Sequence, residues 1–285
     1  MGHKLIISNG EESIDLYNDK YILISAVEGV GMSCNANVTE YASRAGGVLN
    51  GVHVPSRVIT IAAKFKRLGD MSAQKMRLYS IFKVGQPLNV RYVTPSVDAV
   101  TVGYCSKLDI PPNNYPLVMS AEIVCPDPYF KQAFVEPIQL FGTSSLFYFL
   151  SDGITLNDVC FGNSGRARVI HLDYRGSVAA GVVIKVALSS ACNGFRVDNY
   201  TVGKHIGLTG KFLPGDVIEI STEDGCKYIK LTRDGNTVSG LKYMDSDAEF
   251  WQLCTGNNDI KFTATGLDLS AAQVMLYYDV KIGGV

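Results

Sequence analysis

Chemistry in this chain would have to come from its histidines, its cysteines, one acidic cluster or its aromatic residues, and spacing decides what each can do. The four histidines, His3, His53, His171 and His205, are scattered and have no partner at a metal-binding or catalytic spacing. The seven cysteines, Cys34, Cys105, Cys125, Cys160, Cys192, Cys226 and Cys254, are odd in number and contain no C-x-x-C, so buried free thiols are expected rather than disulfides or zinc. Asp245-Ser246-Asp247-Ala248-Glu249 begins like a calcium loop but lacks the glycine and distal glutamate of that pattern. It is also the one acid cluster from which a wall hydrolase could draw paired carboxylates, and its simpler reading is a solvated turn before a strand at Phe250. Gly29-Val30-Gly31 has neither the third glycine nor the helix start of a nucleotide loop and reads as a turn. Trp251, with Tyr243 nearby, raises the question of a sugar-stacking platform. Alternation puts Trp251 on one strand face with Leu253, which makes core packing the simpler role. No catalytic residue, cofactor or metal ligand is expected.

The elements that would position these residues are mostly strands. With 285 residues there is room for two domains. A composition that is 47% hydrophobic and 19% charged, with 28 glycines and 15 tyrosines, fits a turn-rich β protein and hints that partners cover some surface. The net charge of -1 and the absence of a basic run exclude sequence-specific nucleic-acid binding. No apolar run is long enough to span a membrane, and the amino-terminal apolar stretch is too short for a signal peptide, so the chain is expected to stay in the cytoplasm that makes it.

The predicted strands of the first half are residues 4–8, 14–17, 21–27, 57–65, 88–93, 100–108 and 117–124, with residues 40–51 forming a long hairpin or a loop. Asp70 or Ser72 can cap a helix through residues 73–82, with Met76, Leu78, Tyr79 and Phe82 on its apolar face. This predicts a small antiparallel sandwich with one α-helix. A rigid segment, Cys125-Pro126-Asp127-Pro128-Tyr129-Phe130-Lys131, then stops any helix or central strand, because proline lacks a donor and biases the residue before it to extended backbone. It is expected to be the inter-domain junction, with Tyr129 and Phe130 buried against the first domain, dividing the chain into residues 1–131 and 132–285. The second half should hold strands at 138–150, 169–174, 182–188, 195–199, 216–221, 226–232, 250–253, 259–264 and 274–280. Asp224-Gly225 and Asp234-Gly235 supply the hairpin turns, and the whole reads as a jelly roll or comparable β-sandwich.

Several of these stretches, taken in order, resemble the distal tail proteins of siphovirus-type phages and prophages of Gram-positive bacteria. They are Cys125 to Lys131, the Asn163-Ser164-Gly165 opening, Leu213-Pro214-Gly215-Asp216 with its following hairpin Thr222 to Lys227, Arg233-Asp234-Gly235, and Phe250-Trp251-Gln252-Leu253-Cys254-Thr255-Gly256-Asn257-Asn258. The resemblance implies a mainly β protein, with an amino-terminal belt domain that forms a hexameric ring and a carboxy-terminal galectin-like sandwich outside it. Its implied place is the virion tail tip, after assembly in the host cytoplasm, as a baseplate hub subunit without enzymatic activity. Implied partners are further copies of itself, the tail tube protein, the tape measure protein and a tail-associated hub or lysin protein, and a receptor-binding protein is a further partner the resemblance admits. No long arm is expected, because only compact turns separate the strands of the second half. The alternative is a carbohydrate-binding module that recognises wall polysaccharide through the second domain, using Trp251 or Tyr243.

Overall fold

Alternating burial along Lys4–Ser8 (β1), with Leu5 and Ile7 turned inward, sets the pattern that the first unit repeats. The computed structural model describes residues 3–66, 69–112, 116–144, 163–165, 169–264 and 271–285. They form two compact units, residues 1–134 with 281–285, and residues 135–280. The part of the predicted strand 138–150 beyond residue 144, and Cys160, lie outside the described residues.

In the first unit β1 is followed by β2 (Ser13–Asp15), β3 (Ile22–Glu28), β4 (Asn35–Glu40), β5 (Gly47–His53) and β6 (Arg57–Phe65). Helix α1 (Met71–Ile81) leads to β7 (Pro87–Val93), β8 (Asp98–Asp109), β9 (Val118–Cys125) and β10 (Phe130–Gln132). All but β4 and β5 belong to one antiparallel sheet in the order β2-β1-β7-β8-β9-β6-β3, so the expected sandwich is here a single continuous sheet. Asp70 caps α1 by accepting the Ser72 amide. Its buried face is Leu78, Ile81 and Phe82, while Met76 and Tyr79 are exposed. Of the predicted face, Leu78 and Phe82 enter the core and Met76 and Tyr79 do not, while Ile81 joins it. At the far end Asn9 Nδ2 donates to Ser80 O at 2.9 Å, which satisfies an end carbonyl.

The second unit runs through β11 (Ile138–Ser144), β12 (Asn163–Gly165), β13 (Ile170–Tyr174), β14 (Val182–Leu188), β15 (Cys192–Asn199) and β16 (Lys204–Phe212). It continues with β17 (Val217–Glu223), β18 (Cys226–Arg233), β19 (Asn236–Ser239), β20 (Gly256–Ala264) and β21 (Ala272–Tyr278). Seven strands form one sheet, β12-β11-β21-β14-β17-β18-β19, and four form another, β13-β20-β15-β16. Phe141 of the larger sheet meets Phe262 of the smaller at 5.1 Å between ring centroids, and Phe195 meets Phe262 at 5.6 Å, so the apolar faces of the two sheets close on one core. The chain is thus mainly β, with one α-helix among the described residues.

In the second unit β12, β16 and β19 were not expected, nor was β10 in the first. The expected strand at 250–253 is reduced to one bridge between Leu253 and Ala180. After residue 280 the chain re-enters the first unit, where β22 (Lys281–Ile282) pairs with β10. Residues 132–134 and 281–285 therefore belong to the first unit, whereas the sequence placed them with the second domain. Among the described residues, no helix is long and apolar enough to cross a membrane.

Candidate assembly interface

Arg57, the first residue of β6, is buried and gives its donors to four backbone carbonyls. Its Nε donates to Pro128 O at 2.7 Å, one terminal nitrogen donates to Gly29 O at 2.8 Å and Gly31 O at 2.7 Å, and the other donates to Gly283 O at 2.5 Å. The guanidinium carbon lies 4.7 Å from the centroid of the fully buried Phe130 ring, within cation–π distance. Burial pushes the guanidinium pKa down, while the neighbouring Cys125 and Asp127 act in the opposite sense. One side chain thus ties together the limb that leaves β3, the Pro128 turn and the final residues of the chain.

The predicted junction Cys125, Pro126, Asp127, Pro128, Tyr129 and Phe130 lies inside the first unit, several residues before the division after Phe134. Asp127 accepts the Tyr129 amide at 3.0 Å, which shapes the turn. Cys125 and Phe130 are fully buried in the first core, and Tyr129 is only half-buried. Phe130 sits as expected. The chain does not cross between the units here because β10 is already paired with β8 and β22.

Arg57 also fixes the base of a projecting hairpin. Gly29 has φ +80°, and a Cβ there would lie 1.8 Å from Val58 O, so only glycine lets this limb cross β6 so closely. Beyond it, β4 and β5 pair only with each other, and every one of their residues is exposed. The ladder pairs Ala36 with Val52 and Val38 with Leu49, which places these four side chains on one face, with Leu49 and Val52 each 57% exposed. The other face carries Asn35, Asn37, Thr39 and His53 together with Val48, which pairs with Thr39, and Asn50 Nδ2 donates to Thr39 Oγ1 at 2.6 Å. A two-stranded ribbon is marginal alone in water, and an uncovered apolar face marks an interaction site. The sequence left this segment open between hairpin and loop, and it gave no sign of Arg57, since a lone arginine opening a strand reads as an ordinary surface residue.

The other predicted sites resolve into architecture. Trp251 is 1% exposed, and its Nε1 donates to Val197 O at 3.4 Å, so no ring face is left for a sugar. Tyr243 is half-buried, with its ring 5.2 Å from that of Phe212 and packed over Gly210, which has no Cβ to obstruct it. The two rings proposed as a platform thus serve packing. Glu249 pairs with Lys204 at 2.6 Å, Asp247 lies 3.4 Å from His205 Nε2, and the Asp245 and Glu249 amides donate to Gly207 O and His205 O. Glu249 thus faces a lysine, the two amides clip this loop to β16, and no group of three metal-capable side chains gathers among the described residues.

The motif residues of the second unit are structural as well. Asp216 is fully buried, accepts the Leu213 amide at 2.8 Å, and takes a two-pronged contact from Arg233 at 2.7 and 2.6 Å. That contact holds its carboxyl below the usual carboxylate range. Buried Asn258 donates to Cys254 O and Gly256 O and accepts the Cys254 amide, which fixes the turn after Trp251. Of the described cysteines, Cys105, Cys125 and Cys192 are buried free thiols as expected, whereas Cys34 and Cys226 are exposed.

Residues 175–280 match the family model described as siphovirus-type tail component, C-terminal domain. Among solved structures the chain is similar to the SPP1 Dit protein, whose structure is described as a paradigm of hub adsorption apparatus in phages infecting Gram-positive bacteria. That similarity has 13% identity, a TM-score of 0.66 and coverage of 99% of both chains. A chain of the phage P2 baseplate in its activated conformation with calcium is also similar, at 12% identity, a TM-score of 0.51 and full coverage of both chains. No curated protein matches the chain.

Proposed function

We propose that this chain, which belongs to the siphovirus-type tail component family through residues 175–280 and has the fold of a distal tail protein over its whole length, is a structural subunit of a phage tail-tip hub. The first unit, residues 1–134 with 281–285, is the belt that forms a hexameric ring, and residues 135–280 form a galectin-like domain. The ring joins the tail tube to the adsorption apparatus in the virion. Its partners are the tail tube protein, the tape measure protein and a tail-associated hub or lysin protein, and the subunit assembles in the host cytoplasm without carrying out catalysis.

The observation that carries this reading is the β4–β5 hairpin, a ribbon with an apolar face, anchored at its base by Arg57 and left uncovered by its own chain. A closed cyclic assembly needs two different complementary patches on each protomer, and an arm of this kind supplies one. The fold likeness to proteins described as hub and baseplate components supports the same role. Light scattering and native mass spectrometry of the purified chain are expected to give six copies or a multiple of six. A strictly monomeric species across the micromolar range would count against the ring.

A further inference from the structure

The first unit carries a second uncovered apolar surface, on the solvent side of its sheet. Pro87 pairs with Tyr104, Tyr104 with Val124, and Val124 with Val58, so one cross-strand row runs over four adjacent strands, β7, β8, β9 and β6. Val124 is half-buried and the other three are exposed, Tyr104 at 46% and Val58 at 45%, with exposed Val102 beside them on β8. A neighbouring row is polar and acidic, with Thr60 in register between Glu28 and Glu122, so the apolar contact is bounded on that side.

We infer that the apolar face of the β4–β5 hairpin of one copy, Ala36, Val38, Leu49 and Val52, seats on the Pro87–Tyr104–Val124–Val58 row of the next copy. This rests on the ring reading and names the two surfaces that build the ring. The surfaces differ in kind, one an arm and the other the face of a sheet. A contact between them is therefore head-to-tail rather than self-complementary. Their sizes agree: at ordinary strand spacing and rise the four-strand row is about 14 Å long, and Leu49 to Val52 spans about 10 Å. Laid along the row, the hairpin crosses the strands near a right angle, one of the two stable ways for sheets to pack.

The test uses the full chain, with Leu49→Asp spoiling the arm and Tyr104→Asp spoiling the row. Both positions are exposed, and unchanged circular dichroism and melting temperature confirm folding. Each variant alone is expected to run as a monomer by light scattering, whereas Leu49→Val keeps the parent's mass. Mixed in equal amounts, the two variants retain one intact arm and one intact row between them and are expected to pair as a dimer and stop there. If both variants keep the parent's assembled mass, or if the mixture fails to pair, the inference is overturned and the ring reading stands on the parent's own mass. A parent that stays monomeric removes the ring reading and the inference together. A parent that grows open chains while the mixture pairs keeps the inference and removes the closed ring.

Discussion

Replacing Arg57 with methionine keeps most of the buried volume but removes every donor from the four carbonyls of Pro128, Gly29, Gly31 and Gly283. Hydrogen bonds from a charged donor contribute ~1.5–3 kcal/mol each, so four would lose ~6–12 kcal/mol if they acted independently. Burying the guanidinium cost several kcal/mol that the variant recovers, which leaves a net destabilisation of ~3–5 kcal/mol, the usual result of removing one side of a buried charged contact. For a unit of this size that lowers the melting temperature by roughly 10–15 °C. Calorimetry on the parent and Arg57→Met measures the shift. Hydrogen exchange should also show earlier opening at residues 29–33 and 281–285 than elsewhere, because these are the segments the guanidinium ties. Arg57→Lys should fall between the two, since a single ammonium cannot reach carbonyls spread around a planar fork. A melting temperature within a degree of the parent for Arg57→Met, with exchange unchanged in both segments, would show that the carbonyls find other partners and that Arg57 anchors nothing.

Phe130→Ala empties a fully buried ring site under Arg57 and should cost ~3–5 kcal/mol in thermal unfolding, with oligomer size falling alongside. Gly29→Ala should destabilise by on the order of 3 kcal/mol, because a Cβ at positive φ would also strike Val58 O, and it should make the hairpin more sensitive to limited proteolysis. Asp216→Asn should lower the melting temperature at neutral pH. Because Asp216 has its folded pKa depressed below the unfolded value of about 3.9, its contribution is complete above that value and is lost as pH falls through the folded pKa. The gap between parent and variant melting curves should therefore hold from neutral pH to about pH 5 and close below about pH 4; a gap that widens on acidification would refute this account.

Where one local signal dominates, the sequence is legible. The β-branched run 57–65 is a strand to the residue, and β1 matches its predicted limits. Asp224-Gly225 and Asp234-Gly235 close two-residue hairpins with both glycines at positive φ. Strand β16 escaped notice because Gly207 and Gly210 interrupt its alternation, and those glycines are there for a tertiary reason, since a Cβ on them would strike Asp245 and Tyr243. The stretch 250–253 looked like a strand because aromatic and apolar residues alternate in it, yet its side chains are held by the core rather than by a ladder. The apolar face of the hairpin is split between β4 and β5 and appears only once their register is known, and the outer row is assembled from four separate strands. Arg57 acts through carbonyls as distant as Gly283, a partnership that no local pattern encodes.

The return of residues 281–285 to the first unit also sets an order of events on the ribosome. One partner of β10, the strand β22, and the last of the Arg57 acceptors are supplied by residues synthesised after the entire second unit. At ordinary elongation rates of about 5–20 residues per second, the nascent first unit waits roughly 7–30 s with that edge of β10 open and Arg57 short of one acceptor. By the time residues 281–285 are made, the described strands of the second unit are all present, including β21, which lies between β11 and β14 in the larger sheet. The unit whose strands are made first thus still depends on residues made after the second unit, and the anchor that Arg57 gives the arm is complete only once Gly283 has been made.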